Sequence, residues 1–183
     1  YQAILKKIVL KIDYQSFKAR KASTLTFHPF ILKEFNNRWF LVGKKANSNK
    51  IDTLALDRIQ EIDFDLNTPY LNEAFDGDKH YKNTVGVTVL PEEHVKDVIL
   101  KIERTNAPYV LTKPLHHSQE FISRDKQGYI TVKLRVHLNF ELERLILGFG
   151  ETVEVLAPRL LRKRINKKLN KAVGLYTEES ANY

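Results

Sequence analysis

The chain holds no cysteine and no methionine. Without cysteine there is no disulfide framework, no thiolate nucleophile and no cysteine zinc site, which fits the cytoplasm. No apolar run approaches the roughly 20 residues of a membrane helix, and no signal-peptide core is present, so no membrane partner is expected. A glycine-rich phosphate loop is also lacking, since Gly148 and Gly150 have no third glycine and no nucleotide-binding strand ahead of them. Serine, histidine and acidic residues occur without a nucleophile elbow. The expectation is a non-enzyme with no cofactor. A chain that starts at Tyr1 and contains no methionine reads as a portion of a longer protein.

Hydrophobic residues make up 43% and charged residues 28% of the 183 positions, as in ordinary globular domains. That length fits one domain or two small ones. The net charge of +8 is unevenly placed: +9 over residues 1–50, −7 over 51–93 and +6 over 94–183. Segregated positive charge raises the local concentration of anionic partners. The competing reading is a solvated basic face without a partner.

Ile8, Leu10, Ile12 and Tyr14 alternate with mostly polar residues, the pattern of a half-buried strand. Strand-like segments follow at 24–35 and 38–45 around the turn-prone pair Asn36-Asn37. After the loop Asn47-Ser48-Asn49 come a strand over 51–56, a corner at Asp57-Arg58-Ile59 and a last strand over 60–64. Five short strands without a long helix predict a small β-barrel over residues 1–65. Residues 66–83 form an acidic linker, with a short helix expected over 70–75 and a turn at Asp76-Gly77-Asp78.

The second domain is expected over 84–176, followed by a tail at 177–183. Its elements are strands at 84–90 and 95–103, a helix at 106–112, a hairpin of 120–123 with 129–136, a helix at 138–147 and a strand at 152–156. A helix over 158–173 closes it, with Leu161, Ile165, Leu169 and Val173 every four residues. The β-α-β-β-α-β order predicts a two-layer α+β sandwich.

Several stretches then meet a known family. Ile12-Asp13-Tyr14, Thr26-Phe27-His28-Pro29, Arg38-Trp39-Phe40-Leu41 and Leu54-Ala55-Leu56-Asp57-Arg58-Ile59 resemble the WYL domain. Its name-giving Trp-Tyr-Leu reads Trp39-Phe40-Leu41 here, and its Leu-Asp-Arg-Ile ending is intact at 56–59. Pro114-Leu115-His116-His117-Ser118-Gln119, Gly148-Phe149-Gly150 and Val153 to Pro158 resemble the WCX extension that commonly follows WYL. The resemblance covers about residues 8 to 176.

It implies an α+β chain with a small Sm-like β-barrel followed by a ferredoxin-like α/β sandwich. It further implies the sensing portion of a homodimeric bacterial transcriptional regulator whose DNA-binding domain is an N-terminal helix-turn-helix. No such motif is visible here, and residues 1–7 are too short for one. The implied effector is a single-stranded oligonucleotide or nucleotide. An RNA- or DNA-binding accessory module, for instance a CRISPR-associated one, is the alternative. Two positions depart from the pattern: Phe40 replaces the usual tyrosine, and Ala55 stands where many members carry arginine. Both remove polar contacts and point to a different ligand or affinity.

A nucleic-acid pocket needs cations for phosphates and flat side chains for bases. Arg38, Lys44, Lys45 and Arg58 are candidates for the first, with His28, Trp39 and Phe40 for the second. Each also has a structural reading: core for Trp39 and Phe40, a corner ion pair for Asp57 with Arg58, and a hydrogen-bonded histidine for His28. His116, Ser118 and Gln119 read either a nucleotide or cap a strand end. Adjacent His116 and His117 face opposite sides of a strand, so no metal is expected. On the last helix Arg162, Arg164 and Lys168 belong to a basic face that contacts phosphates or only solvent.

Overall fold

A computed structural model of the chain describes residues 1–176, so the expected tail at 177–183 lies outside the described residues. By internal packing it divides into two compact units, between Lys79 and His80.

In the first unit the period-two pattern becomes strand β1 (Val9–Tyr14), with Leu10 and Ile12 buried. A single turn of helix, α1 (Gln2–Leu5), precedes it and was not expected; it buries Ala3 beside the same core. Strands β2 (Ser23–Phe35) and β3 (Arg38–Lys45) form a hairpin. Asn36 and Asn37 take φ of 51° and 60° at its tip, a conformation asparagine tolerates better than most residues. Strands β4 (Ile51–Ala55) and β5 (Ile59–Asp65) complete an antiparallel sheet of order β4-β3-β2-β1-β5.

One 3-10 turn, Leu56–Arg58, joins the two sheet edges. A flat sheet of five strands would hold its edges about 19 Å apart. The four steps from Ala55 to Ile59 reach at most roughly 14 Å. The sheet therefore curls, around Leu10, Ile12, Phe27, Leu41 and Leu54. It does not close: among the described residues no ladder pairs β4 with β5, so the expected barrel is an open, curled sheet. The 3-10 corner turns the backbone out of strand geometry where a closing ladder would have to begin.

The helix expected over 70–75 does not form. The Asp65 carboxylate accepts hydrogen bonds from the amides of Asn67 and Thr68, and the chain then runs without regular structure as far as α2 (Gly77–Tyr81). Helix α2 starts within the expected turn, where Asp76 accepts from the Lys79 amide.

The second unit contains β6 (Val95–Ile102), α3 (Ala107–Thr112), β7 (Glu120–Arg124), β8 (Ile130–His137), α4 (Phe140–Leu147), β9 (Val153–Ala157) and α5 (Arg159–Val173). Its sheet is antiparallel, in the order β7-β8-β6-β9. Val98, Leu100 and Ile102 meet Val132, Leu134 and Val136 in the core, closed by Leu142 and Ile146 of α4 and by Leu161 and Ile165 of α5. The strand expected at 84–90 is absent. Gly86 takes φ +84°, a value that leaves strand geometry. The Asn139 amide binds the carbonyls of Val85 and Thr88, while its oxygen caps α4 at the Leu142 amide. The architecture is α+β, with antiparallel sheets in both units. Among the described residues no helix is long and apolar enough to cross a membrane.

Candidate functional site

The corner between β4 and β5 gathers polar and aromatic side chains around an open pocket. A pocket of about 330 Å³ opens there, lined by Gln15, Ser16, Phe17, Ala19, Asp57, Arg58, Ile59 and Gln60. The Arg58 guanidinium lies over the Phe17 ring, 4.1 Å from its centroid, a cation–π contact. Its Nε is buried without a hydrogen-bond partner in the protein. An unpaired donor on a cation in a pocket wall favours an anionic or strongly accepting ligand, since burial without a partner costs free energy. The expected ion pair of Asp57 with Arg58 is replaced by Asp57 with Arg38, at 3.3 Å. Both side chains of that pair are near half exposed, 46% and 42%, and such a pair is worth little in water. Gln60 donates to the Gln15 side chain at 2.7 Å, tying the loop after β1 to β5.

Trp39, next to Arg38, is 51% exposed. Leu41, with the same strand parity, is buried in the core. Trp39 thus stands at the open end of the core-facing row, with a free ring surface. Phe40 is partly buried on the opposite face, paired with Lys33 on β2 and Ala55 on β4.

His28 and Lys44 are cross-strand partners between β2 and β3, and both are buried. The segment 70–73 covers them. The Tyr70 hydroxyl donates to the Pro29 carbonyl at 2.7 Å, and the Leu71 amide donates to His28 Nδ1 at 3.1 Å. Tyr70 also meets His28 edge-on, with centroids 5.8 Å apart. Lys44 Nζ lies 2.8 Å from Glu73 Oε1 and binds both carboxylate oxygens. Burial lowers the His28 pKa, so this imidazole is a neutral, occupied group. Lys45 pairs with Asp52 at 3.1 Å. Of the expected cations, Arg58 alone both lines this pocket and carries a buried donor without a partner in the protein.

In the second unit the strand-end reading of Ser118 and Gln119 matches their contacts. Gln119 accepts from the Leu115 amide at 3.0 Å and donates to the Val110 carbonyl at 2.9 Å. Ser118 Oγ accepts from the Arg135 amide at 2.9 Å. His116 is buried, and its Nδ1 accepts from the Ser118 amide at 3.2 Å. Burial, with His117 adding a smaller effect, lowers its pKa to about 4. The rings of His116 and His117 lie 4.1 Å apart, not on opposite faces, because this stretch is a turn before β7 and not a strand. Among the described residues no group of three or more His, Asp or Glu side chains is placed to hold a metal ion.

The three cations singled out on α5 are all engaged by their own unit. Arg162 binds Glu154 and the Val155 carbonyl, both at 2.6 Å. Glu143 of α4 takes Arg164 at 3.3 Å and Lys168 at 2.7 Å.

Phe17, Gln15 and Gln60 were missed from the sequence, as was the cover by Tyr70 and Glu73. A lone aromatic in the polar loop at 15–20 is the one available signal for Phe17. Nothing local marks Glu73 as the partner of a lysine 29 positions away.

Two family models match the chain, the WYL domain over residues 1–64 and the WCX domain over residues 94–173. No curated protein matches the sequence. Among solved structures, "Proteasome accessory factor B/C (PafBC) of Arthrobacter aurescens" aligns with 97% of this chain and 26% of its own, at 17% identity and a TM-score of 0.40. A "CRISPR Cas-related protein" aligns with 97% of this chain and 50% of its own, at 11% identity and a TM-score of 0.52. The chain thus spans half or less of the length of these two structures, and the second shares its fold. With its two domain models covering 1–64 and 94–173, the chain belongs to the WYL-domain family, in the form that carries a WCX domain after the WYL domain.

Proposed function

We propose that this chain is the ligand-sensing, regulatory part of a bacterial transcriptional regulator. It binds a single-stranded oligonucleotide or nucleotide effector at the β4–β5 corner and relays occupancy to a helix-turn-helix domain in a homodimer. The observation that carries this reading is the buried, unpartnered Nε of Arg58 in the wall of a pocket that also holds an aromatic face, Phe17. An arginine with a free donor grips phosphate or base acceptors. An exposed aromatic such as Trp39 stacks a base, worth about 1–3 kcal/mol per base. The chemistry offered is recognition, and the proposal assigns no catalytic step. The finer folds are part of it. An Sm-like form is supported by the curled sheet with its 3-10 corner. A ferredoxin-like form is supported by β7-β8-β6-β9 built from a β-α-β-β-α-β chain order. A stand-alone nucleic-acid-binding accessory module is the second reading, for which the fold shared with a CRISPR Cas-related protein is the specific support.

The test is fluorescence anisotropy with labelled short single-stranded oligonucleotides across a salt series, comparing wild type with Arg58→Ala and Arg38→Ala. The expected result is micromolar binding that weakens with salt and falls at least tenfold in Arg58→Ala. Arg38, already paired with Asp57, should contribute less. Binding indifferent to Arg58→Ala removes the site assignment. Binding that survives while an attached DNA-binding domain ignores the oligonucleotide selects the accessory-module reading.

A further inference from the structure

Helix α5 reads Arg-Leu-Leu-Arg-Lys-Arg-Ile-Asn-Lys-Lys-Leu-Asn-Lys-Ala-Val from Arg159 to Val173, with seven cations and no acid. Three of the seven, Arg162, Arg164 and Lys168, form ion pairs with Glu154 and Glu143, the latter shared by two of them. Those three flank the side that buries Leu161 and Ile165. Arg159, Lys163 and Lys167 lie on the opposite arc, all exposed, and form no ion pair with the described residues. They recur every four residues, so they stack in one row along the helix, roughly 6 Å apart. Asn166 and Asn170 share this arc and are hydrogen-bonded to each other at 3.0 Å.

We propose that the row Arg159, Lys163 and Lys167 is a contact surface for the phosphate backbone of duplex nucleic acid. This goes beyond the effector reading and does not rest on it, since the row lies on a different unit and needs no pocket. Three like charges held in line on a rigid helix repel one another unless an anionic partner of similar linear spacing relieves them. A nucleic-acid backbone presents such a row, and binding there releases its condensed counterions. The arc carries no aromatic side chain, so it has nothing on which to stack unpaired bases. The exposed apolar side chains of α5, Leu160 on one flank and Leu169 with Val173 on the other, border the row and are not part of it. The row itself therefore offers no apolar stripe to a bilayer, as an interfacial helix requires. Backbone contact of this kind positions a duplex without reading its sequence.

The test uses the 183-residue chain and a labelled 20-base-pair DNA duplex of arbitrary sequence, titrated at a series of salt concentrations. The stripe variant carries Arg159→Gln, Lys163→Gln and Lys167→Gln. All three sites are solvent-facing, and glutamine keeps helix propensity, which circular dichroism melting verifies. A control of equal charge change carries Lys18→Gln, Arg20→Gln and Lys21→Gln in the first unit. Each phosphate contact contributes about 0.9 to the slope of log K against log salt. The stripe variant should therefore lose roughly 2–3 from that slope and bind at least tenfold more weakly at low salt, while the control loses much less. A single Lys163→Glu change should act in the same direction. Equal losses in stripe variant and control would mean attraction by net charge alone and overturn the proposal, as would an unchanged slope. Binding to phosphatidylserine vesicles that the stripe variant loses, with duplex binding untouched, would assign the row to membranes instead. The Arg58→Ala variant should keep duplex binding, so failure here and failure of the effector site are separable.

Discussion

Phe40 and Ala55 face each other as direct partners across the β3–β4 ladder. These are the two positions at which the resemblance to the WYL pattern implies a tyrosine and, in many members, an arginine, so both departures fall on one spot. Ala55 is 2% exposed, and the pair forms an apolar contact. Ala55→Arg should cost about 3 kcal/mol or more in urea unfolding, because a buried guanidinium would meet a phenyl ring and no acceptor. Phe40→Tyr should change stability by less than about 1 kcal/mol, since the partly buried ring can turn a hydroxyl toward water. The double variant should be less destabilised than the sum. A neutral Ala55→Arg would show that the site retains room for the arginine after all.

Glu73 and Lys44 supply a second test. Lys44 is buried, and its carboxylate partner comes from the segment that covers it. Removing one partner leaves a charge under cover, whereas removing both does not. Glu73→Gln should destabilise the chain by about 1–2 kcal/mol, a value held down because Glu73 is half exposed. Lys44→Met with Glu73→Leu should recover most of that loss. An additive double variant would mean that the pair contributes nothing beyond its separate contacts.

Much of the fold was legible because it depends on local pattern. The alternation through Ile8, Leu10 and Ile12 fixed a core face before any partner was known, and Asn36-Asn37 marked the hairpin tip. The two misplaced elements were decided by distant groups. Asn67-Thr68-Pro69 looks like a helix start, but Asp65 takes the amides of Asn67 and Thr68, and Tyr70 and Leu71 are tied by hydrogen bonds to β2. Val85, Val87 and Val89 alternate like a strand, yet Asn139 binds the carbonyls of Val85 and Thr88 from more than 50 positions away. The site was partly legible for the same reason. Arg58 carries its own signature motif, whereas which lysine or arginine on α5 finds a carboxylate depends on Glu143 and Glu154 in other elements.

Gln119 gives a prediction that separates structure from recognition. Both ends of its amide hold backbone groups of the chain leading into β7. Gln119→Ala should lower stability by about 1–3 kcal/mol and leave oligonucleotide affinity unchanged once the protein is folded. A selective loss of binding with unchanged melting would return Gln119 to the ligand site.

Acid should weaken the second unit through histidines that folding shields from water. Burial depresses His116 to about 4 and also lowers His80 and His137. A depressed histidine binds fewer protons folded than unfolded, so its contribution is full above pH 6.5 and is lost as pH falls toward 4. For His116 the loss is at most roughly 3 kcal/mol. Urea midpoints measured from pH 7.5 to 4.5 should fall, and His116→Asn should flatten part of that slope. A midpoint that rises on acidification would contradict the assignment of neutral, shielded imidazoles.

The cover over His28 and Lys44 changes what counts as a portable module. A first unit severed at residue 65 would leave behind Tyr70, Leu71 and Glu73, uncovering a lysine with no counter-charge and a histidine with no donor. Recombination among relatives, natural or in the laboratory, would then succeed when the crossover falls after Lys79 and fail when it falls at the end of the last strand.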